Sequence, residues 1–248
     1  VTLPIGYSIS ANNWKIVSFN NNVHFYQLGH APLVSTGGST TLVLSEYTDT
    51  APSPPVVTSA PSGNEVLAAF GKLWVANITD NKHTVYWSDT LLGNKFTGGV
   101  SGSLDLTLVW PTGFDEVVSL AAHNNFLVIF GKKSIVVYTG ASSPANMTLH
   151  DTVEGVGCIA RDSVQHTGTD VLFLSDSGVR SFTRTIQEKS MPMRDISKNV
   201  RTDLTSLAIL QTNAIKSVYS ADEAFYLLTL PDSDTTYCFD MRSPLQDG

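Results

Sequence analysis

Histidine and cysteine, the side chains that most readily bind transition metals, occur in this sequence without the spacing of a metal site. No two histidines follow the His-x-x-x-His or His-Glu-x-x-His pattern, and Cys158 has no second cysteine two or three residues away. We therefore expect structural histidines and no cofactor. Two cysteines are too few to staple a domain of this size, so we expect buried free thiols, with a disulfide between them as the alternative. The residues concerned are His24, His30, His83, His123, His150, His166, Cys158 and Cys238.

Carboxylates and hydroxyls could serve a calcium site or a hydrolase, and two segments contain them. Asp232 and Asp234 flank one serine, but a hard cation gathers a larger set of oxygen ligands, so we expect a solvated turn. The segment Ser175–Phe182 is superficially similar to the Asp-box of sialidase-type propellers, yet its aspartate follows the first serine directly, where that motif needs it one position later. A two-residue hairpin turn at Ser177–Gly178 is the better interpretation.

Nucleophile and nucleotide motifs are also missing from the sequence. It contains no Gly-x-Ser-x-Gly segment and no phosphate-binding Gly-Lys-Ser/Thr loop. With no residues to assign to a catalytic role, we expect a protein that is not an enzyme.

Positive charge is concentrated between residues 180 and 201, which we call the basic segment. It holds six of the 15 Lys and Arg residues, with Glu188 and Asp195 as the acidic residues between them. The segment could contact phosphate or an acidic neighbouring subunit, or it could display ordinary solvated charges, and the sequence favours neither. Its basic residues are Arg180, Arg184, Lys189, Arg194, Lys198 and Arg201.

Composition and charge exclude some classes of protein. The chain is 42% hydrophobic, which is typical of a globular protein rather than a disordered one. Its longest apolar runs, such as Phe126–Phe130, are far shorter than the roughly 18 to 20 residues of a membrane-spanning helix, so we expect no membrane segment. The net charge of −7 argues against a coat on nucleic acid, yet it suits a surface past which DNA must slide without sticking.

A repeated pattern of short strands must position these residues. Five hairpins recur, and their first strands start at intervals of 45 to 58 residues, close to the roughly 40 to 50 residues of a propeller blade. We therefore expect an all-β fold, a β-propeller-like array of antiparallel blades, with a β-sandwich as the alternative. The hairpins begin at Trp14, Lys72, Phe126, Val171 and Phe225.

Three segments interrupt the strands. Apolar residues recur at helical spacing from Ile196 to Leu207, which predicts one short inserted helix with Asp195 as its N-cap. The Pro-rich stretch Thr48–Gly63 and the Gly-rich stretch Gly93–Ser103 are predicted to be loops. Because hairpins continue on both sides of them, we expect residues 1–248 to form one β-propeller-like domain, an excerpt of a longer chain.

Seven segments together carry a resemblance to a known family: Lys72–Asn77, Val85–Asp89, Leu104–Pro111, Val117–Gly131, Thr152–Ser163, Leu174–Arg180 and Thr185–Ser190. In their order and continuity they resemble the tail nozzle proteins of short-tailed bacteriophages of the podovirus type, also called tail tubular protein B. These proteins are related in role to packaged-DNA stabilisation and hub proteins. The resemblance covers most of residues 64–248, although each segment alone is a weak signature.

This resemblance implies a structural protein of the virion tail with a mechanical role and no catalytic residues. Six copies would form a homo-hexameric ring below the portal and the adaptor, a tail tubular A-like protein, and tail fibre or needle proteins would be further partners. The ring would enclose the channel that retains and then ejects genomic double-stranded DNA, which passes without sequence specificity. The basic segment is the expected subunit or DNA-channel contact.

A second hypothesis comes from another class of protein. A propeller that binds or cleaves carbohydrate on a virion or cell surface would use aromatic side chains as stacking platforms, and Trp74, Trp87 and Trp110 are the candidates. Burial of the same indoles between blades is the competing interpretation, which the sequence favours.

Overall fold

The computed structural model describes residues 13–35, 43–44, 46–49, 56–188 and 196–242, which form antiparallel sheets and two α-helices. The predicted all-β class, with an array of propeller-like antiparallel blades, is confirmed. The chain divides into two compact units: unit 1 comprises residues 1–109 and 139–148, and unit 2 comprises residues 110–138 and 149–248. A single domain over residues 1–248 stays a prediction.

Unit 1 contains two four-stranded sheets and a two-stranded hairpin. In each four-stranded sheet the strands lie side by side in chain order, so each sheet is an antiparallel meander. The first sheet consists of β1 (Lys15–Phe19), β2 (Asn22–Tyr26), β3 (Leu33–Ser35) and β4 (Val43–Leu44). The hairpin consists of β5 (Glu46–Asp49) and β6 (Val56–Ser59), and the second sheet of β7 (Gly63–Ala69), β8 (Lys72–Ile78), β9 (Thr84–Trp87) and β10 (Gly102–Asp105).

The sheets of unit 2 follow the same meander order, with one sheet of four strands and two of three. The first consists of β11 (Val117–His123), β12 (Phe126–Gly131), β13 (Ser134–Thr139) and β14 (Thr148–Glu154). The second consists of β15 (Gln165–His166), β16 (Val171–Ser175) and β17 (Gly178–Ser181), and the third of β18 (Lys216–Ser220), β19 (Phe225–Leu230) and β20 (Thr235–Asp240). The helices are α1 (Phe182–Glu188) and α2 (Arg201–Ala208), and short 3₁₀ turns occupy Pro144–Asn146, Arg161–Ser163 and Pro231–Ser233.

Asparagine pairs make two of the two-residue hairpin turns. Asn20 and Asn21 join β1 to β2 with φ angles of 45° and 63°, and Asn124 and Asn125 join β11 to β12 with 47° and 65°. A two-residue turn that follows the twist of its strands needs positive φ at both positions, which asparagine tolerates better than most residues. The turn after β16 falls at Asp176–Ser177, one residue earlier than predicted, because Ser175 pairs with Gly178.

The central strands are buried on both faces. Every residue of β12 after Phe126 is buried, as is every residue of β16. A strand covered on both sides needs no alternation of apolar and polar residues, which accounts for the continuous apolar run in β12. One cluster of buried side chains joins Phe130, Phe173 and Phe182, with ring centroids 5.0 Å apart for Phe130 and Phe173.

The predicted inserted helix begins later than expected. It starts at Arg201 rather than after Asp195, which lies outside the described residues. The cause is a strand-like attachment: the Ile196 amide donates to the Val179 carbonyl at 2.9 Å, and the Val179 amide donates to the Ser197 hydroxyl at 2.9 Å. The residues before the helix therefore stay bound to β17.

A second helix, α1, was not predicted, since the hairpin was expected to continue through Phe182. Its start is fixed by side chains that accept hydrogen bonds from the first turn. The Arg184 amide donates to the Ser181 hydroxyl at 3.2 Å, and the Thr183 amide donates to the Asp170 carboxylate at 3.0 Å. These contacts satisfy amides that have no partner within the helix.

The two predicted loops contain strands at their edges. In the Pro-rich stretch, β6 pairs with β5, and in the Gly-rich stretch, β10 starts at Gly102 and pairs with β9. Among the residues that the structure describes, no helix is long and apolar enough to cross a membrane.

Candidate functional site

The basic residues of the basic segment that the structure describes differ in their exposure to solvent. Arg180 is buried, Arg184 on α1 is half-buried, and Lys198 and Arg201 are exposed. Lys189 and Arg194 lie outside the described residues. The attachment of Ile196 and Ser197 to β17 holds the exposed pair near the strand that carries Arg180.

Arg180 is built into its own hairpin. Its side chain is 7% exposed, and its Nε donates to the Ser175 hydroxyl at 2.9 Å and to the Ser177 hydroxyl at 3.2 Å. Its Nη2 also donates to the Ser177 hydroxyl, at 2.5 Å. The guanidinium thus closes the turn between β16 and β17, so of the six predicted contact residues this one is not placed to touch a partner.

The three tryptophans proposed as sugar platforms are all buried. Trp74 and Trp87 pack together with ring centroids 5.4 Å apart, and the Trp87 indole N–H donates to the Val100 carbonyl at 2.8 Å. Trp110 is buried as well. The burial interpretation is therefore confirmed for these indoles.

The residues considered for metals are dispersed. In the part of the chain with described coordinates, no three His, Cys, Asp or Glu side chains come close enough to hold a metal ion. Both cysteines are free thiols; Cys158 is buried as expected, but Cys238 is exposed on β20, contrary to prediction. Asp232 lies in the 3₁₀ turn Pro231–Ser233, and Asp234, which follows it, has left-handed backbone angles. The two aspartates are therefore part of a turn, as predicted.

Unit 1 contains a cavity of about 310 Å³ with a buried lysine in its wall; we call it the lysine cavity. Lys72, at the start of β8, is 2% exposed, and its ammonium donates to the Ser142 carbonyl at 2.9 Å and to the Phe70 carbonyl at 3.4 Å. Burial lowers the pKa of this ammonium, and the charge of Asp89 opposes that shift. The cavity is lined by Lys72, Trp87, Thr90, Gly99, Val100, Ser101, Ser142, Ser143, Pro144 and Ala145.

The Asp89 carboxylate shapes the rim of the lysine cavity. Its Oδ1 accepts hydrogen bonds from the Thr90 amide at 2.8 Å and the Val100 amide at 3.2 Å, while its Oδ2 pairs with the Lys95 ammonium at 3.1 Å. Burial raises the pKa of Asp89, but these contacts outweigh it, so the pKa lies below its usual value. An ionised Asp89 thereby helps to fix the loop that follows β9.

Unit 2 has a smaller cavity of about 160 Å³ with aromatic walls, which we call the aromatic cleft. Phe126 stacks on the exposed ring of His150 with centroids 4.5 Å apart, and Phe182 lies edge-on to His123 at 5.9 Å. Asp151, Thr183 and Gln187 are among the polar residues that line the cleft. A flat ring beside hydrogen-bonding groups is an arrangement that can hold a sugar.

Large apolar side chains are exposed on loops of both units. In unit 1, Leu108 is 97% exposed, in a turn closed by a bond from the Val109 amide to the Leu106 carbonyl. In unit 2, Leu210 after α2 is 82% exposed, and Ile209 and Phe114 are exposed too. These side chains are candidates for contacts with another protein.

Sequence reasoning missed both cavities. Lys72 was assigned only to a strand, although a lysine that opens an otherwise apolar strand is an indication of a buried charge. His150 was predicted to be one of six structural histidines. Its ring, on β14, stacks on Phe126 at the start of β12. Neither contact could be derived from spacing, because each joins residues far apart in the chain.

No protein-family model matches the chain, and no curated protein matches it. Solved structures do match, and the chain is similar over 94% of its length to an extracellular domain assigned to a one-component system of B. thetaiotaomicron, with a TM-score of 0.50 and 11% identity. The aligned part is 28% of that chain. At this identity the likeness concerns the fold alone.

Two further structures are similar at lower scores. Hsv2 with its loop 6CD replaced by a Gly-Ser linker has a TM-score of 0.48 and 12% identity, over 94% of this chain and 67% of that one. The AfRom2 CNH domain has a TM-score of 0.46 and 10% identity, over 91% of this chain and 67% of that one.

Proposed function

We propose that the protein is a structural subunit of the tail of a short-tailed bacteriophage, part of a nozzle ring around the DNA channel. The order of the seven sequence segments supports this family, and a series of rigid antiparallel sheets suits a wall. The acidic balance of 22 Asp and Glu against 15 Lys and Arg would keep phosphate from binding tightly along the channel.

The observation that carries the proposal is the exposure of large apolar side chains on ordered loops. Burial of one leucine side chain contributes roughly 1.5 to 3 kcal/mol, so burial of Leu108 and Leu210 against a neighbouring subunit would stabilise the assembly. A closed ring uses one such contact, repeated between two different surfaces of each copy. Six copies would supply six equivalent interfaces.

In this proposal the basic segment contacts a neighbouring subunit or the passing DNA. The exposed Lys198 and Arg201 are the residues best placed for it, and the half-buried Arg184 on α1 is a further candidate. Lys189 and Arg194 belong to the same proposal through their positions in the sequence. The mechanism is mechanical: sheets form the wall, and loops hold neighbours and restrict the channel until ejection.

Electron microscopy of the purified full-length protein tests the ring. We expect class averages with six-fold symmetry for the protein alone or when it is mixed with portal and adaptor. A stable monomer under both conditions would contradict the proposal.

Charge reversal tests the role of the basic segment. We expect virions that carry Lys198→Glu with Arg201→Glu to assemble poorly or to lose their genome, since these side chains would face phosphate or an acidic neighbour. Lys133→Glu, at an exposed position in the β12–β13 turn, is the matched control. Normal yield and genome retention in the double variant would rule out this role.

Carbohydrate binding is a second candidate, and the aromatic cleft favours it. The exposed His150 ring stacked on Phe126 offers a platform that the buried tryptophans do not. A glycan array tests this candidate: binding should be lost in His150→Ala and kept in Leu149→Ala, whose exposed side chain is the neighbour of His150 on β14. Equal binding by both variants, or none by the wild type, would exclude the cleft.

A further inference from the structure

We propose that the lysine cavity binds a carboxylate group, with the Lys72 ammonium as its positive partner. This site goes beyond the proposed tail function and does not depend on it. It involves residues of unit 1 alone, on β8, the β9–β10 loop and the loop that precedes β14.

The hydrogen-bonding capacity of Lys72 is not used up. An ammonium has three N–H donors, and the Ser142 and Phe70 carbonyls accept from two of them. Within the described ranges no further protein group accepts from Lys72, and the residue borders a cavity rather than solid packing. A buried donor of this kind costs free energy unless a ligand or water satisfies it.

The charge of Lys72 also lacks a close counter-ion. The carboxylate whose charge acts on Lys72 is Asp89, but it is ion-paired with Lys95 at 3.1 Å. Among the residues with described side chains, no carboxylate lies within ion-pair distance of Lys72. One cation without a close partner matches the single negative charge of a carboxylate better than the double charge of a phosphate.

The remaining lining suits the body of such a ligand. The Ser143 hydroxyl accepts a bond from Asn146 at 3.4 Å and keeps its own proton to donate, and Thr90 adds another hydroxyl. Pro144 and Ala145 provide an apolar wall. The carboxylate could belong to a small molecule, such as a sugar acid, or to an Asp or Glu side chain of a second copy of this acidic chain.

Calorimetric titration of the full-length protein with glucuronate tests the site, and glucose serves as the neutral control. We expect glucuronate to bind with a dissociation constant of roughly 1 mM and glucose not to bind. Lys72→Met should weaken glucuronate binding about tenfold or more, because it removes a charged hydrogen bond. Lys133→Met, which removes an exposed positive charge in unit 2, should bind as the wild type does.

A second variant covers the case in which Lys72→Met fails to fold. Ala145→Trp fills the cavity from an exposed position and leaves the bonds of Lys72 in place, so it should also abolish binding. Glucuronate binding that survives in Ala145→Trp would place the ligand elsewhere and overturn the proposal.

Sedimentation distinguishes the two sources of the carboxylate. If the ligand is a side chain of a second copy, the wild type should self-associate, and both Lys72→Met and added acetate should reverse that association. If the ligand is a small molecule, glucuronate should bind and acetate should leave the mass unchanged. Absence of both glucuronate binding and acetate-sensitive association would refute the site.

Discussion

Arg180 and Lys72 are both buried cations on strands, yet their surroundings differ. Arg180 donates to serine hydroxyls of its own hairpin, only three and five residues away. Lys72 donates to the carbonyl of Ser142, seventy residues later in the chain, and borders a cavity. One cation is enclosed by local structure, and the other joins two distant segments beside open space.

This difference separates a structural charge from an available one. The Arg180 Nε and Nη2 donate to the adjacent turn and stabilise it, and burial keeps this side chain from an outside partner. An ammonium with a spare N–H donor beside a cavity can bind a ligand without any rearrangement of the fold. Sequence alone would rank the two in reverse order, because Arg180 lies in the basic segment and Lys72 in an apolar strand.

The largest expected effect is that of Arg180→Ala. Loss of the guanidinium leaves the Ser175 and Ser177 hydroxyls without their donor and opens a gap, so we expect the free energy of unfolding to fall by roughly 4 kcal/mol. Urea denaturation measures this, with Arg184→Ala as the control, which should cost less than about 1 kcal/mol. Equal losses for the two variants would show that Arg180 is not a structural charge.

His24 is another buried titratable side chain of unit 1, and the stability of the protein at acid pH should depend on its protonation. Burial lowers the pKa of His24 from 6.5 to about 4. The folded state therefore resists protonation, and stability that is complete above pH 6.5 should be lost as the pH falls toward 4, by about 3 kcal/mol. The free energy of unfolding, measured over this pH range, should fall in the wild type and not in His24→Phe. Parallel pH dependence in the two proteins would contradict this role of His24.

Lys72→Met should change stability far less than Arg180→Ala. Methionine keeps the volume of the side chain and removes the cost of burying a charge, while water can bind the exposed Ser142 carbonyl, so we expect a change within about 1 kcal/mol. Urea denaturation of the two variants side by side makes the comparison. A loss for Lys72→Met as large as that for Arg180→Ala would make Lys72 a structural charge as well.

The smallest effect concerns alkaline pH. Because the pKa of Lys72 is lowered, the folded state releases this proton before the unfolded state does. Stability of the wild type relative to Lys72→Met should therefore rise with pH in the range just below the ordinary lysine pKa of about 10.4. A constant difference across that range would mean that Lys72 is not desolvated.

Local chemistry explains which features the sequence could predict. The five hairpins depend on apolar runs and on short turns between them, both visible within a dozen or so residues. Helix α1 could not be found this way, because its apolar face consists of Phe182 and Ile186 alone and its first amides depend on Asp170, which lies before β16. The start of α2 was misplaced for a related reason, since Ile196 pairs with Val179.

The candidate sites were harder to predict than the fold. Assignment of Arg180 to a surface followed from its charge, and only the hydrogen bonds to Ser175 and Ser177 reveal that it points inward. The lysine cavity depends on the approach of the Ser142 loop to β8, and the aromatic cleft on the stacking of Phe126 with His150. Long-range contacts of this kind leave no pattern in residue spacing.

Mass measurement in solution tests the central claim, that this protein forms a ring through its exposed apolar loops. Wild-type protein should have six times the mass of one chain, and Leu108→Asp or Leu210→Asp should reduce it, because a buried carboxylate would oppose the contact. Thr169→Asp adds the same charge at an exposed polar position and should leave the hexamer intact. A wild type that stays monomeric both alone and with portal and adaptor, or hexamers in all the variants, would contradict the account.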